Sequence, residues 1–274
     1  MWGSFGMTHP ESTVARVGRP VRRWTALAAV ALTAFISSSC HKSVSGVVGG
    51  PHTLTGHPVL FIGNSLTYSN NLPGIVAALA QQAGDTIDAW YVAYPDYALV
   101  DHFQSESTIR TIKSYKWEYV VMQQGPSSVA VNRDTLVLGA QLLAQSVREI
   151  GATPAMYMVW PDISRGAFFD AVRVSYQTAA QAVNGVFMPA GSAWQIAWAR
   201  DPTLPLYSGD GFHPSVLGSY LAALVIFERV TGKDARQLPA VAVMAGGAPI
   251  NIPAATVRLL QEAAHEANTL YPAR

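Results

Sequence analysis

The amino-acid sequence predicts an α/β fold, a three-layer α/β/α sandwich with a five-stranded parallel sheet, on three observations. Short apolar runs alternate with longer amphipathic ones from about residue 58 onward. Helix-length connections separate the apolar runs, so neighbouring strands must lie parallel, with right-handed crossovers covering both faces of the sheet. Half of the 274 residues are apolar and 13% charged, which suffices to bury one full core.

Taken in order, residues 59–63 read as the first strand and 72–83 as the helix that follows; 86–93 as a strand and 99–114 as a helix; 119–123 as a strand and 134–150 as a helix. The pattern continues with a strand at 154–160, a helix at 168–182, a strand at 186–189 and a strong helix at 215–230. A closing helix at 254–270 repeats Val257, Leu260, Ala264 and Ala267 at helical spacing, which assigns it packing. Trp194 and Trp198, four apart, read as a helical packing face. In such a sheet, catalytic groups gather at the carboxyl ends of the strands.

Ahead of this domain, Arg16, Arg19, Arg22 and Arg23 precede an uncharged stretch at 24–36, which is followed by small residues and Cys40. That order marks residues 1–40 as an export signal, and the apolar stretch is too short to span a bilayer comfortably. Cys40 is the only cysteine, so no intramolecular disulfide forms. Its place resembles that of the lipidated cysteine in a bacterial lipoprotein signal, which implies a membrane tether at a periplasmic or cell-surface location. An ordinary cleaved signal with an incidental cysteine is the alternative. Residues 41–57, rich in Gly, Ser, Thr and His, suit a flexible tether, and 58–274 form the domain. A formal net charge of +1 leaves no basic field for nucleic acid.

Two short segments carry chemistry. Ser65 directly follows the first strand, with Gly63 allowing the backbone to turn sharply off the sheet. Serine is a weak nucleophile at neutral pH and needs a base within hydrogen-bond reach, itself oriented by a third group. Far along the chain, Asp210-Gly211-Phe212-His213 precedes the helix at 215–230, and His213 alone of seven histidines has an aspartate three residues before it. A carboxylate and an imidazole on one tight loop can hydrogen-bond and fix the ring tautomer. Each segment alone has a plainer reading: a serine capping a helix, and an exposed loop pair.

Together, Gly63-Asn64-Ser65-Leu66 after strand one and Asp210-Gly211-Phe212-His213-Pro214 before the last strong helix resemble the SGNH (GDSL-like) hydrolase superfamily, over residues 58–232. Asn64 stands where most members have aspartate. The resemblance implies a flavodoxin-like SGNH hydrolase fold and a serine esterase acting on carboxylic esters, acetyl groups on carbohydrates among them. It implies Ser65 as nucleophile, His213 as base and Asp210 as its orienting acid, with no metal or cofactor.

The superfamily's oxyanion hole also uses a glycine and an asparagine. Gln124-Gly125-Pro126-Ser127 is similar to a glutamine version of the asparagine block, which gives Gln124 as donor, Gln123 as the out-of-phase alternative and Ser127 as a third choice. Asp96 occupies the glycine's place, where a backbone N–H would donate and a carboxylate works against the developing charge. Trp160, Tyr97 and other aromatic residues near strand ends are candidates to line the substrate pocket. His102 and Asp101 read as local structure rather than as a second base or a metal pair. A catalytically weak or inactive SGNH-fold domain that binds glycan, and an acyltransferase, are the rival functions. A nucleotide-binding fold is disfavoured because no glycine-rich phosphate loop follows strand one.

Overall fold

The computed structural model describes residues 54–273. The expected export signal, Cys40 and most of the tether lie outside them. Five strands, β1 (His57–Gly63), β2 (Ile87–Ala93), β3 (Tyr119–Met122), β4 (Thr153–Tyr157) and β5 (Val186–Met188), form one sheet in the order β2-β1-β3-β4-β5. Every pairing is parallel. Val59, Leu60, Phe61 and Ile62 of β1 are all fully buried, as expected of a central strand covered on both faces.

The helices are α1 (Ser65–Tyr68), α2 (Leu72–Gln82), α3 (Leu99–Gln104), α4 (Glu106–Ser114), α5 (Ala130–Glu149), α6 (Phe169–Ala182), α7 (Ala190–Arg200), α8 (Val216–Thr231) and α9 (Ala254–Leu270). One packed layer contains α2, α7, α8 and α9, the other α3, α4, α5 and α6. Leu221 through Phe227 of α8 are buried without interruption, which explains the strong apolar signal of that segment.

One expectation is corrected locally. The single helix read at 99–114 is two helices, broken at Ser105, whose backbone is extended and whose hydroxyl accepts from Thr108 N to cap α4. Between the first strand and the helix that begins at Leu72 the chain forms α1 and a 3₁₀ turn (Ser69–Asn71). Asn70 and Asn71 take left-handed backbone angles there, which asparagine tolerates better than most residues. Asn71 then caps α2 through Gly74 N.

Because β1 leads to β2 on one side and the chain then crosses back to β3 on the other, the strand order reverses between β1 and β3. The crevice outside the carboxyl ends of those two strands is where open α/β sheets bind ligands. Ser65 follows β1 and Gln123-Gln124 follow β3, so both segments sit at that edge.

Candidate active site

The turn carrying Ser65 is shaped by its neighbours. Asn64 is the N-cap of α1, its side-chain oxygen accepting from Leu66 N at 3.1 Å. Ser65 is thereby the first residue of a helix, and its N–H is among those a helix cannot pair internally. A Cβ at Gly63 would fall 2.3 Å from Thr67 Oγ1 and 2.4 Å from Gln123 Oε1, so only glycine leaves room for the groups beneath the turn.

The Asp210–His213 loop is held largely by itself. His213 Nδ1 and Asp210 Oδ2 are 2.6 Å apart, while Asp210 Oδ1 accepts from Ser208 Oγ, Phe212 N and His213 N at 2.7, 2.9 and 2.9 Å. These bonds hold the Asp210 carboxyl well below the usual carboxylate range, the Phe212 N–H contributing most and the His213 side chain next. An ionised Asp210 makes Nδ1 the protonated ring nitrogen and leaves Nε2 as the one able to accept a proton. Gly211 has φ +71°, and a Cβ there would meet Ile163 Cγ2 at 2.6 Å.

Four further bonds tie this loop and the helix after it to the edge that holds Ser65. Trp160 Nε1, beyond β4, donates to Phe212 O at 3.0 Å, and Ile163 N donates to Gly211 O at 2.9 Å. From the other side, Asn70 Nδ2 reaches Pro214 O at 3.1 Å and Ser219 Oγ at 2.9 Å, tying the segment after Ser65 to the residue after His213. No spacing pattern marks Asn70, and the sequence reading missed it.

The glutamine candidates are placed at this edge but turned inward. Gln123 is fully buried; its oxygen accepts from Asn64 N (3.1 Å) and Thr67 Oγ1 (2.7 Å), and its amide donates to Asn64 Oδ1 (3.0 Å) and Gln124 O (2.6 Å). Gln124, 4% exposed, accepts from Leu99 N at 3.0 Å and donates to Ser127 Oγ at 3.0 Å. Ser127 in turn donates to Gly125 O. The expectation that one of these side chains points its donor at an oxyanion is corrected: their hydrogen-bonding groups are engaged within the protein.

Asp96 has φ +61° and sits third in a tight turn, with Pro95 before it and Tyr97 N closing back to Tyr94 O. That is the conformation of a type II turn, where glycine is favoured. Burial, and next to it the Asp96 carboxylate, raise the phenol of Tyr68 on α1. Asn64 Nδ2 also binds Tyr97 O at 3.1 Å, joining the two loops directly.

Trp160 requires a second correction. It is fully buried and stacked on Trp194 with ring centroids 3.6 Å apart, so it anchors the Phe212 carbonyl instead of lining a pocket. Tyr97 packs against Tyr94 and His102, and with Pro95, Asp96, Asp101, Gln104 and Ser105 it borders a cavity of about 490 Å³. His102 is fully buried and donates from Nε2 to Gly63 O at 2.8 Å, Nδ1 lying 3.1 Å from Thr108 Oγ1. Burial pushes its imidazole down. Among the described residues one group has metal-type donors near one another, Glu228, Asp234 and His265. Glu228 lies twelve residues beyond Val216 along α8, about 18 Å from its start, and its carboxylate is paired with His265.

No protein-family model matches the chain, and no curated protein matches it in sequence. Solved structures do match. A DUF4886 family protein from Bacteroides uniformis is similar over 80% of this chain and 96% of its own, at 20% identity and a TM-score of 0.64. A protein assigned to the SGNH hydrolases from Slackia heliotrinireducens matches over 64% of this chain and 98% of its own (24% identity, TM-score 0.54). A lipase/acylhydrolase from Enterococcus faecalis matches over 64% and 96% (17% identity, TM-score 0.50). The parallel five-stranded sheet flanked by helices and these likenesses agree on one architecture: the chain has the fold of the SGNH (GDSL-like) hydrolases.

Proposed function

We propose that the protein is a serine hydrolase of carboxylic esters, with Ser65 as nucleophile, His213 as general base and Asp210 as the group that orients it. The observation that carries this reading is a 2.6 Å Asp210–His213 pair tied, through Asn70, to the segment that begins with Ser65. In the first step Ser65 Oγ bonds to the ester carbonyl carbon while His213 Nε2 takes its proton. The resulting oxyanion is received by backbone N–H groups, that of Ser65 at the start of α1 and that of Asp96 in its turn, in place of a glutamine amide. Collapse expels the alcohol, protonated by His213, and water attacks the acyl-enzyme with His213 again as base.

The substrate class is best read from the cavity of about 490 Å³ beside the Asp96 turn. Its carboxylate, amide, hydroxyl and tyrosine groups suit a polyhydroxy alcohol such as an acetylated carbohydrate. The sequence pattern of residues 16–40 supports an exported enzyme, tethered through Cys40.

The test compares the protein with its Ser65→Ala variant on short-chain nitrophenyl esters and on acetylated glycans. Turnover by the first, with loss of roughly 10⁴-fold or more in the folded variant, is the expected result. A folded wild type without serine-dependent turnover on either substrate would remove the esterase reading and leave a glycan-binding domain.

A further inference from the structure

We propose that Gln123 is a positioning residue for the nucleophile. It fixes the Ser65 turn from below and offers nothing to the oxyanion itself; this rests on the reading of Ser65 as nucleophile.

Gln123 is the first residue beyond β3, and its N–H still pairs with Ile62 O of β1 at 2.9 Å. The backbone of the two central strands therefore sets where its side chain begins. From there the amide crosses under the reversal point of the sheet and meets the chain on both sides of Ser65: Asn64 before it, through N–H and side chain, and Thr67 two residues after it. A primary amide has two protons and two lone pairs, and here four bonds of 2.6–3.1 Å use all of them. Gly63 completes the fit, since a Cβ there would fall 2.4 Å from Oε1.

The bonds also have a direction that only an amide supplies. Oε1 receives two donors while Nε2 gives two protons, one to an oxygen of Asn64 that already accepts from Leu66 N. A carboxylate at this position would keep the first pair and face two acceptors with no proton to give. Asn64, for its part, passes the order on to the Asp96 turn through Tyr97 O. One side chain thus sets the relation between nucleophile, α1 and the second oxyanion loop, where a displacement of about 1 Å costs about 10²-fold in rate.

The experiment is a double-mutant cycle of Gln123→Met, which keeps the side-chain length and removes all four bonds, with Thr67→Val, on the full chain. Thr67 is buried, nearly isosteric with valine, and its hydroxyl donates only to Gln123 Oε1 among the described residues. The readouts are kcat and KM on a nitrophenyl ester, the rate at which a fluorophosphonate labels Ser65, and the thermal midpoint. Gln123→Met is expected to lower kcat and labelling by about 10²-fold with KM within about threefold. Thr67→Val is expected to lower both about fivefold to tenfold, the share of one lost hydrogen bond. The effects should be markedly less than multiplicative.

If Thr67→Val leaves kcat and labelling within about twofold while Gln123→Met is impaired, or if the two effects multiply, Gln123 acts by itself and the proposal fails. Should Gln123→Met not fold, Thr67→Val alone decides: unchanged kcat and labelling in a folded variant overturn the proposal. Retained activity in Ser65→Ala would instead refute the nucleophile reading, a separate outcome read from a separate protein.

Discussion

The Asp210–His213 loop has side chains 51% and 37% exposed and is held mainly by bonds between residues two or three apart. The Ser65 turn is fixed by hydrogen bonds to groups 33 to 59 residues away, and the amide beneath it is wholly buried. The difference follows from what each must do. A base and its orienting acid need a fixed tautomer and a short mutual bond, which a glycine-containing loop supplies locally. A nucleophile at a strand end has to be aimed relative to oxyanion donors on another strand's loop, and only long-range contacts can define that relation. Changes in the first region should therefore alter chemistry with little effect on stability, and changes beneath the second should alter both.

The largest test of this contrast is Asp210→Asn. An amide in place of the carboxylate removes the acceptor that fixes the imidazole tautomer, and kcat should fall roughly 10³-fold. Because the loop is exposed, the thermal midpoint at neutral pH should move little. The pH dependence has a definite sign. The folded-state pKa of Asp210 lies below its unfolded value. What ionisation contributes to stability is therefore present above the unfolded value, roughly pH 4, and is lost as pH falls through the folded one. The small difference in midpoint between wild type and variant should be constant above about pH 5 and shrink in strong acid. A midpoint difference at neutral pH as large as that of a core mutation would break the comparison.

A smaller effect on rate is expected from Trp160→Phe, which probes the one deep anchor of the exposed loop. Phenylalanine keeps a ring against Trp194 and loses the donor to Phe212 O. Stability should fall by about 1 kcal/mol or somewhat more, the cost of an unpaired carbonyl, seen as a lower denaturation midpoint in urea. The rate should fall by only a few-fold, because Asp210 and His213 still hold each other. A loss of rate as large as that of Asp210→Asn would show that the loop depends on its floor as much as the Ser65 turn does.

The same contrast explains how much was legible in the sequence. Strand and helix order followed from apolar periodicity, and α9 falls on the predicted residues, since a buried face imposes its period on the chain. The Asp-x-x-His loop was legible because its bonds are local and its spacing is its geometry. Gly63 was legible as a turn residue. The roles of Gln123 and Gln124 were not, because a hydrogen-bond partner 59 or 25 positions away leaves no local pattern, and an inward amide has the same letter as an outward one. Trp160 was misread for the related reason that strand-end position says nothing of which way a ring turns. The break at Ser105 shows a cap overriding an otherwise continuous helical pattern.

Asp96→Gly should have the smallest effect and sharpens the comparison most. This position belongs to the long-range half of the site, through Tyr97 O and Asn64, yet its own side chain is exposed. Glycine relieves a left-handed backbone but gives the unfolded chain more freedom, two effects of about 0.5–1 kcal/mol that nearly cancel. The thermal midpoint should therefore shift little. The charge should matter more than the backbone: an anion beside the proposed oxyanion site disfavours negative charge there, so its removal should raise kcat about twofold to fivefold on a neutral ester, with the gain shrinking as salt is added. Tyr68 supplies an independent check, because its phenol is raised by burial and secondarily by Asp96. In the variant that phenol should titrate at lower pH in a spectroscopic titration. A lower Tyr68 titration with unchanged kcat would place the Asp96 charge beside α1 but outside the path of the reaction; a rise in KM for glycan esters alone would assign the carboxylate to the alcohol portion of the substrate.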